Sequence, residues 1–269
     1  MLRKLLKYEF IATGRIFLPL YGALIVVAFL QKIFFDLNFG DIGSVSLSIL
    51  VGAIPVLFSA LIVAVVVASF IMMIIRFNKN LLSNEGYLMF TLPVSVSKLI
   101  WSKLIVIFVW VILSCIVGVL AFCIIFLGIS DIALMFSRTG EVLREFSRQQ
   151  LWGPFFECII LAAAVLVSFI LSVYLSMSVG QLSDKHKKLC AIGAYIGLNI
   201  IVNNVLAAIF AGAANGPIGE MIYRGIFENL SEVQSFNLVM IGFIVLYVIL
   251  CAVYFILTKI ILTKKLNLE

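Results

Sequence analysis

Residues able to do chemistry are few in this chain, and the densest group lies in RFNKNLLSNEGYLMFTLPVSVSKLIWSK, residues 76–103. There Glu85 is the lone acid among Arg76, Lys79, Lys98 and Lys103. The pattern around it reads as a short helix-like piece over 81–90, followed by Thr91, Leu92 and Pro93. A carboxylate at the start of a short helix either favours the positive end of the helix dipole or pairs with a cation supplied by another chain. Leu88, Met89, Phe90 and Leu92 are costly to leave in water, so they must face lipid, the chain's own helices or a partner's pocket. Pro93 ends the helical piece and sets the direction in which the chain leaves it. This is chemistry for docking, not for making or breaking bonds.

Catalytic signatures are missing elsewhere. There is no GxxxxGK followed by Ser or Thr, so the chain has no P-loop of its own to cradle ATP phosphates. HExxH and GxSxG are also absent, and His186 stands in a basic turn with Lys185, Lys187 and Lys188. No catalytic residue is assigned, and the chain is read as a non-enzyme. Cys115, Cys123, Cys158, Cys190 and Cys251 lie in or beside apolar runs without a CxxC pair. We therefore expect neither a metal site nor structural disulfides, and read them as small apolar side chains.

The elements that carry these residues follow from composition. Hydrophobic residues make up 64% of the chain, against about 45–50% in ordinary globular domains. Charged residues make up 12%, about half the usual share. Bilayer-length apolar runs recur throughout, which predicts an all-α integral membrane protein. No hydrophilic stretch is long enough for a soluble domain, so residues 1–269 form one membrane domain. Six spans are expected, at about 16–35, 49–75, 99–128, 154–180, 190–212 and 237–261. The first resembles a signal peptide, but Arg15 adjoins it and its far end, Gln31 to Phe35, lacks a small-x-small cleavage site, so it is expected to be retained.

Charge sets the expected orientation. The net charge is +6, distributed beside alternate ends of the runs. With these spans, fourteen basic and four acidic residues fall on one face, and five basic and nine acidic on the other. Both termini are therefore expected in the cytoplasm, and nucleic acid is not an expected partner. In MLRKLLKYEF, Leu2, Leu5, Leu6 and Phe10 share a face opposite Arg3, Lys4 and Lys7. Residues 1–14 are thus expected as an amphipathic helix on the membrane surface, its basic side toward anionic lipid headgroups. The alternating charges of 129–153 predict a solvated helix continuing the third span. Asn215, Gly216 and Pro217 signal a turn, and EMIYRGIFENL an outer amphipathic helix before the sixth span.

Polar and small residues inside the spans add packing signals. Ala164, Ser168, Ser172, Ser176 and Gly180 recur every four residues, as do Ala60, Ala64 and Ala68, and Gly193 with Gly197 forms a GxxxG. Such faces serve close packing within the chain or a subunit interface. Tyr195, Asn199 and Asn203 share a face of the fifth span, with Asn204 adjacent, either for interhelical hydrogen bonding or to line a substrate path. Acids sit at span edges, Glu157 deepest, which disfavours proton coupling.

Together these features resemble the membrane subunit of a type-2 ATP-binding-cassette (ABC) transporter, the bacterial exporter permease class. The motif that carries the resemblance is Glu85, Gly86, Tyr87, Leu88, Met89, Phe90, Thr91, Leu92, Pro93, Val94 and Ser95, followed by Lys98 and Lys103. It is similar to that family's acid-Gly-x-Leu-x-x-x-Leu-Pro loop between spans 2 and 3, the coupling helix that docks in a groove of the ATPase. The resemblance implies a multi-pass subunit of the bacterial plasma membrane, paired with a second permease subunit and with cytosolic ABC ATPases. ATP and Mg would sit on the ATPase partner, with no cofactor or metal on this chain. Apolar span walls point to export of a hydrophobic or amphipathic cargo, such as a lipid or antimicrobial peptide. Two other readings are a non-transporting membrane anchor or sensor, and the scaffold subunit of a vitamin-uptake ABC system. The latter typically carries Ala-Arg-Gly triplets, which this chain lacks.

Overall fold

Apolar runs this long can satisfy their backbone groups in lipid only as helices or closed barrels, and helices are what form. The computed structural model describes residues 2–36, 45–82, 95–183, 185–215, 225 and 230–264. In order these residues form α1 (Leu2–Asp36), α2 (Val45–Phe77), a π-helical turn (Asn78–Leu82), α3 (Val96–Phe126), α4 (Ile129–Arg148), α5 (Trp152–Gly180), α6 (Lys187–Asn215) and α7 (Glu232–Lys264). Six stretches are long and apolar enough to cross a bilayer: Arg3–Asp36, Gly52–Phe77, Val96–Phe126, Trp152–Gly180, Lys187–Ala208 and Glu232–Thr263. Each coincides with an expected span, and the chain is a multi-pass, all-helical membrane protein. Exposed Val63, Val66, Ile116, Val119, Ile200 and Val248 are then at ease, because lipid is their solvent.

Several expectations change. Residues 2–14 are not a separate surface helix, since α1 runs unbroken from Leu2 to Asp36. Leu5, Leu6 and Phe10 are half-buried beside the buried Glu9, and the buried face continues through Thr13 and Phe17 without a break where the surface helix was expected to end. The charged segment after the third span is not its extension either. The helix stops at Phe126, and α4 starts afresh after Leu127 and Gly128. The Gly128 amide donates to Asp131 Oδ2 at 2.8 Å, half of a capping box that marks a true helix start. The polar island is also shorter than its composition suggests, because Val96–Phe126 is already helical and takes in Lys98 and Lys103. The expected coupling helix, Glu85 to Pro93, and most of the outer helix over 220–230 lie outside the described residues.

The chain divides into two compact units, residues 1–77 with 97–141, and residues 78–96 with 142–269. In the first, α1 packs along α2 and side chains of α1 reach α3. Pro19 and Pro55 lie inside α1 and α2, a placement that spans tolerate. In the second, α5 packs on both α6 and α7. Every side chain from Ile170 to Ser176 is buried, so α5 is covered on more than one face. A complete capping box starts α7: the Gln234 amide donates to Ser231 Oγ at 3.4 Å, and the Ser231 amide to Gln234 Oε1 at 3.1 Å.

Candidate functional site

Glu9, Thr13, Phe17 and Tyr21 are spaced four apart, so they form one ridge along α1. That ridge meets α3. Lys103 Nζ donates to Glu9 Oε1 at 2.7 Å, with Glu9 8% and Lys103 2% exposed. One turn on, Trp110 Nε1 donates to Thr13 Oγ1 at 2.7 Å, while Thr13 Oγ1 donates to the Glu9 carbonyl at 2.8 Å. Phe17 stacks on Trp110, with ring centroids 4.7 Å apart and planes 13° apart. Tyr21 Oη donates to the Trp110 carbonyl at 3.1 Å and lies 2.7 Å from Ser114 Oγ. The seam therefore runs from a buried ion pair, through an aromatic stack, to a hydroxyl pair.

The second oxygen of Glu9 faces α2, where Arg76 Nη1 lies 4.0 Å from Glu9 Oε2. One carboxylate thus holds cations from two helices, through different oxygens. In sequence, Arg76 precedes Glu85 and Lys103 follows Pro93, so these two cations bracket the 85–93 segment. Burial makes the arrangement costly to break: removing one partner of a buried pair costs about 3–5 kcal/mol, since the other charge stays behind. A change in the separation of the α2 and α3 ends would alter the 4.0 Å Arg76–Glu9 contact before it disturbed the 2.7 Å Lys103–Glu9 bond. The node can hold and transmit position. It offers no nucleophile paired with a base.

Counting charges at the span ends places Glu9 among the four acids and Lys103 among the fourteen cations of one face, and does not pair them. The available signal was the four-residue spacing of Glu9, Thr13, Phe17 and Tyr21, with Lys103 already inside the apolar run that starts at Leu99.

The remaining candidates are on α6. Tyr195 and Asn199 are half-buried and Asn203 is exposed. Asn199 Nδ2 donates to the Tyr195 carbonyl at 2.8 Å, and Asn204 Nδ2 to the Ile200 carbonyl at 2.8 Å. Both amides are thus turned back onto their own helix. A Cβ added at Gly193 or Gly197 would meet nothing within 4 Å, so the GxxxG face stands open. The small-residue face of α5 is closed by contrast: Ser168, Ser172 and Ser176 are buried. Ser172 and Ser176 donate to the carbonyls of Phe169 and Ser172, both at 2.8 Å. A Cβ at Gly180 would lie 2.5 Å from Ala191 Cβ and 2.7 Å from the Lys187 carbonyl oxygen. At the other end of α5, the Asn237 amide, turned to donate, reaches Glu157 Oε2 at 3.3 Å, which ties the deepest acid to α7.

Among the described residues, no group of three or more His, Cys, Asp or Glu is placed to hold a metal ion. Compared with known proteins, the chain matches no family model, no curated protein and no solved structure.

Proposed function

We propose that this chain is the membrane-spanning subunit of an ATP-driven ABC transporter, exporting a hydrophobic or amphipathic cargo with energy from separate ATPase subunits. The observation that carries the reading is the Glu85-to-Pro93 motif, bracketed in sequence by two cations that share one buried carboxylate, Glu9. A docking loop transmits force only if its two ends are anchored, and Arg76 and Lys103 supply such anchors. In this reading the complex contains a second permease subunit, lies in a bacterial plasma membrane and keeps both termini in the cytoplasm. Tyr195, Asn199 and Asn203 would face the cargo's path.

Co-purification tests partner and energy source together. The chain, tagged and extracted from its native membrane, should bring down an ABC ATPase; hydrolysis of ATP by the chain alone would sink the assignment. A second test separates the roles of Glu85. As a helix-dipole partner it contributes about 0.3–1 kcal/mol, whereas a buried ion pair with the ATPase would lose about 3–5 kcal/mol on its removal. Glu85→Gln should leave expression and insertion intact and sharply reduce substrate-stimulated ATP hydrolysis in the assembled complex. Near-normal stimulation would demote Glu85 to a local capping role.

A further inference from the structure

The segment between α3 and α5 carries an independent inference. Met135, Thr139, Val142, Leu143 and Phe146 follow the i, i+4, i+7, i+8, i+11 spacing of one helical face. Arg138, Glu141, Glu145 and Arg148 form a charged stripe about a third of a turn round the helix, and Arg144 lies on the far side. Met135, Val142 and Leu143 are exposed on α4, and α4 packs along none of the spans among the described residues. Thr139 Oγ1 donates back to the Met135 carbonyl at 2.7 Å, which turns its hydroxyl toward the helix backbone.

Tethering decides how this helix can lie. Its 20 residues make a rod about 30 Å long. Two residues join it to α3 and three to α5, and three residues span at most about 11 Å. Both neighbours are apolar to their ends at these junctions: Phe122 and Phe126 are exposed at the end of α3, and Trp152, Phe155 and Phe156 at the start of α5. Both ends of α4 are therefore held at the same membrane surface. An upright α4 would lift its far end well beyond the reach of the second connector. Its charged face in turn bars it from crossing the hydrocarbon.

We propose that α4 is an interfacial helix that lies in the plane of the bilayer. Its Met135, Val142, Leu143 and Phe146 face sinks to the headgroup–acyl boundary, with the charged face in water. The occupant of the exposed face is phospholipid, because the helix is tethered by two and three residues to span ends whose Phe126, Trp152, Phe155 and Phe156 are themselves exposed and apolar. The corner that follows suits the same depth. Phe146 packs edge-on against Trp152 and Phe155, at 5.3 and 5.8 Å, and Trp152 Nε1 donates to Ser147 Oγ at 2.9 Å. Aromatic rings with one wet edge concentrate at the headgroup level of membranes.

An environment-sensitive fluorescent amino acid, placed singly at Val142, Leu143, Glu141 or Glu145, tests this in the full chain reconstituted in phosphatidylcholine–phosphatidylglycerol vesicles. All four side chains are exposed, so folding is expected to survive, and gel filtration before reconstitution checks it. Nitroxide-bearing lipids should quench at 142 and 143 several-fold more than at 141 and 145, and iodide on both sides of the membrane should show the reverse order. Equal iodide access on both faces would overturn the proposal. So would protection of 142 and 143 from both quenchers, which would mean that a second copy or another protein covers the face. The inference does not rest on the transporter reading and survives its failure.

Discussion

Where α1 meets α3, side chains reach across: a carboxylate to an ammonium, an indole to a hydroxyl, a phenol to a serine. At Gly180, where α5 meets α6, there is no side chain to reach with, and the backbone comes within the space a methyl group would need against Ala191. The buried serines Ser172 and Ser176 of α5 spend their hydroxyls on their own helix. The α1–α3 seam is joined by directional polar bonds that have discrete made and broken states. The α5–α6 joint at Gly180 is fixed by shape, which tolerates no intermediate spacing. A bundle that must change the separation of two helix ends is better served by the first device, and a fixed platform by the second. Under the proposed transporter function, coupling would therefore fall at Glu9 and not along α5.

The contrast can be broken most forcefully at the ion pair. Lys103→Met should destabilise the chain by about 3–5 kcal/mol by leaving Glu9 buried without its nearest cation. Adding Glu9→Leu should recover most of that loss, as measured by denaturant unfolding in mixed micelles. If the double substitution were as damaged as the single, packing and not charge would govern the seam. At the second joint, Gly180→Ala should cost about 1–3 kcal/mol, as overpacking does. Gly193→Ala and Gly197→Ala, with open space around them, should stay within about 0.5 kcal/mol. Equal effects at all three glycines would erase the distinction between the closed and the open small faces. The smallest effect belongs to Tyr21→Phe. Hydrogen bonds between membrane helices average about 0.6 kcal/mol, and Ser114 keeps its own 2.9 Å bond to the Trp110 carbonyl.

The six spans were legible because length and apolarity alone decide them, and the α5 small face because a four-residue period survives into the packed structure. Ser168, Ser172, Ser176 and Gly180 are all buried there. The Glu9–Lys103 pair was not legible as a pair. Each charge sits at a span end, where solvated charges are the norm, and only a tertiary contact across 94 positions distinguishes the two cases. The α1 boundary failed for a related reason. An amphipathic pattern of Leu2, Leu5, Leu6 and Phe10 fits a helix on a membrane and a helix on a neighbour equally well. The end of α3 failed because the stop at Leu127 and Gly128 is a local capping event inside continuous helical propensity. Of the candidate site residues, Glu85 to Pro93 lie outside the described residues, so their likeness to a docking loop rests on sequence. Tyr195, Asn199 and Asn203 share a helix face as the spacing required, and Asn199 bonds to its own helix backbone.

The tight joint at Gly180 also bears on how the chain enters the bilayer during synthesis. α6 contains the least apolar of the six span-length stretches, and Asn199, Asn203 and Asn204 make it the poorest to partition into hydrocarbon alone. Only six residues link it to α5, and the missing methyl lets the two backbones meet as soon as both are helical. α5 and α6 are therefore expected to partition as a hairpin. The residence of α6 in the membrane is secured by the neighbour made just before it, more than by its own composition.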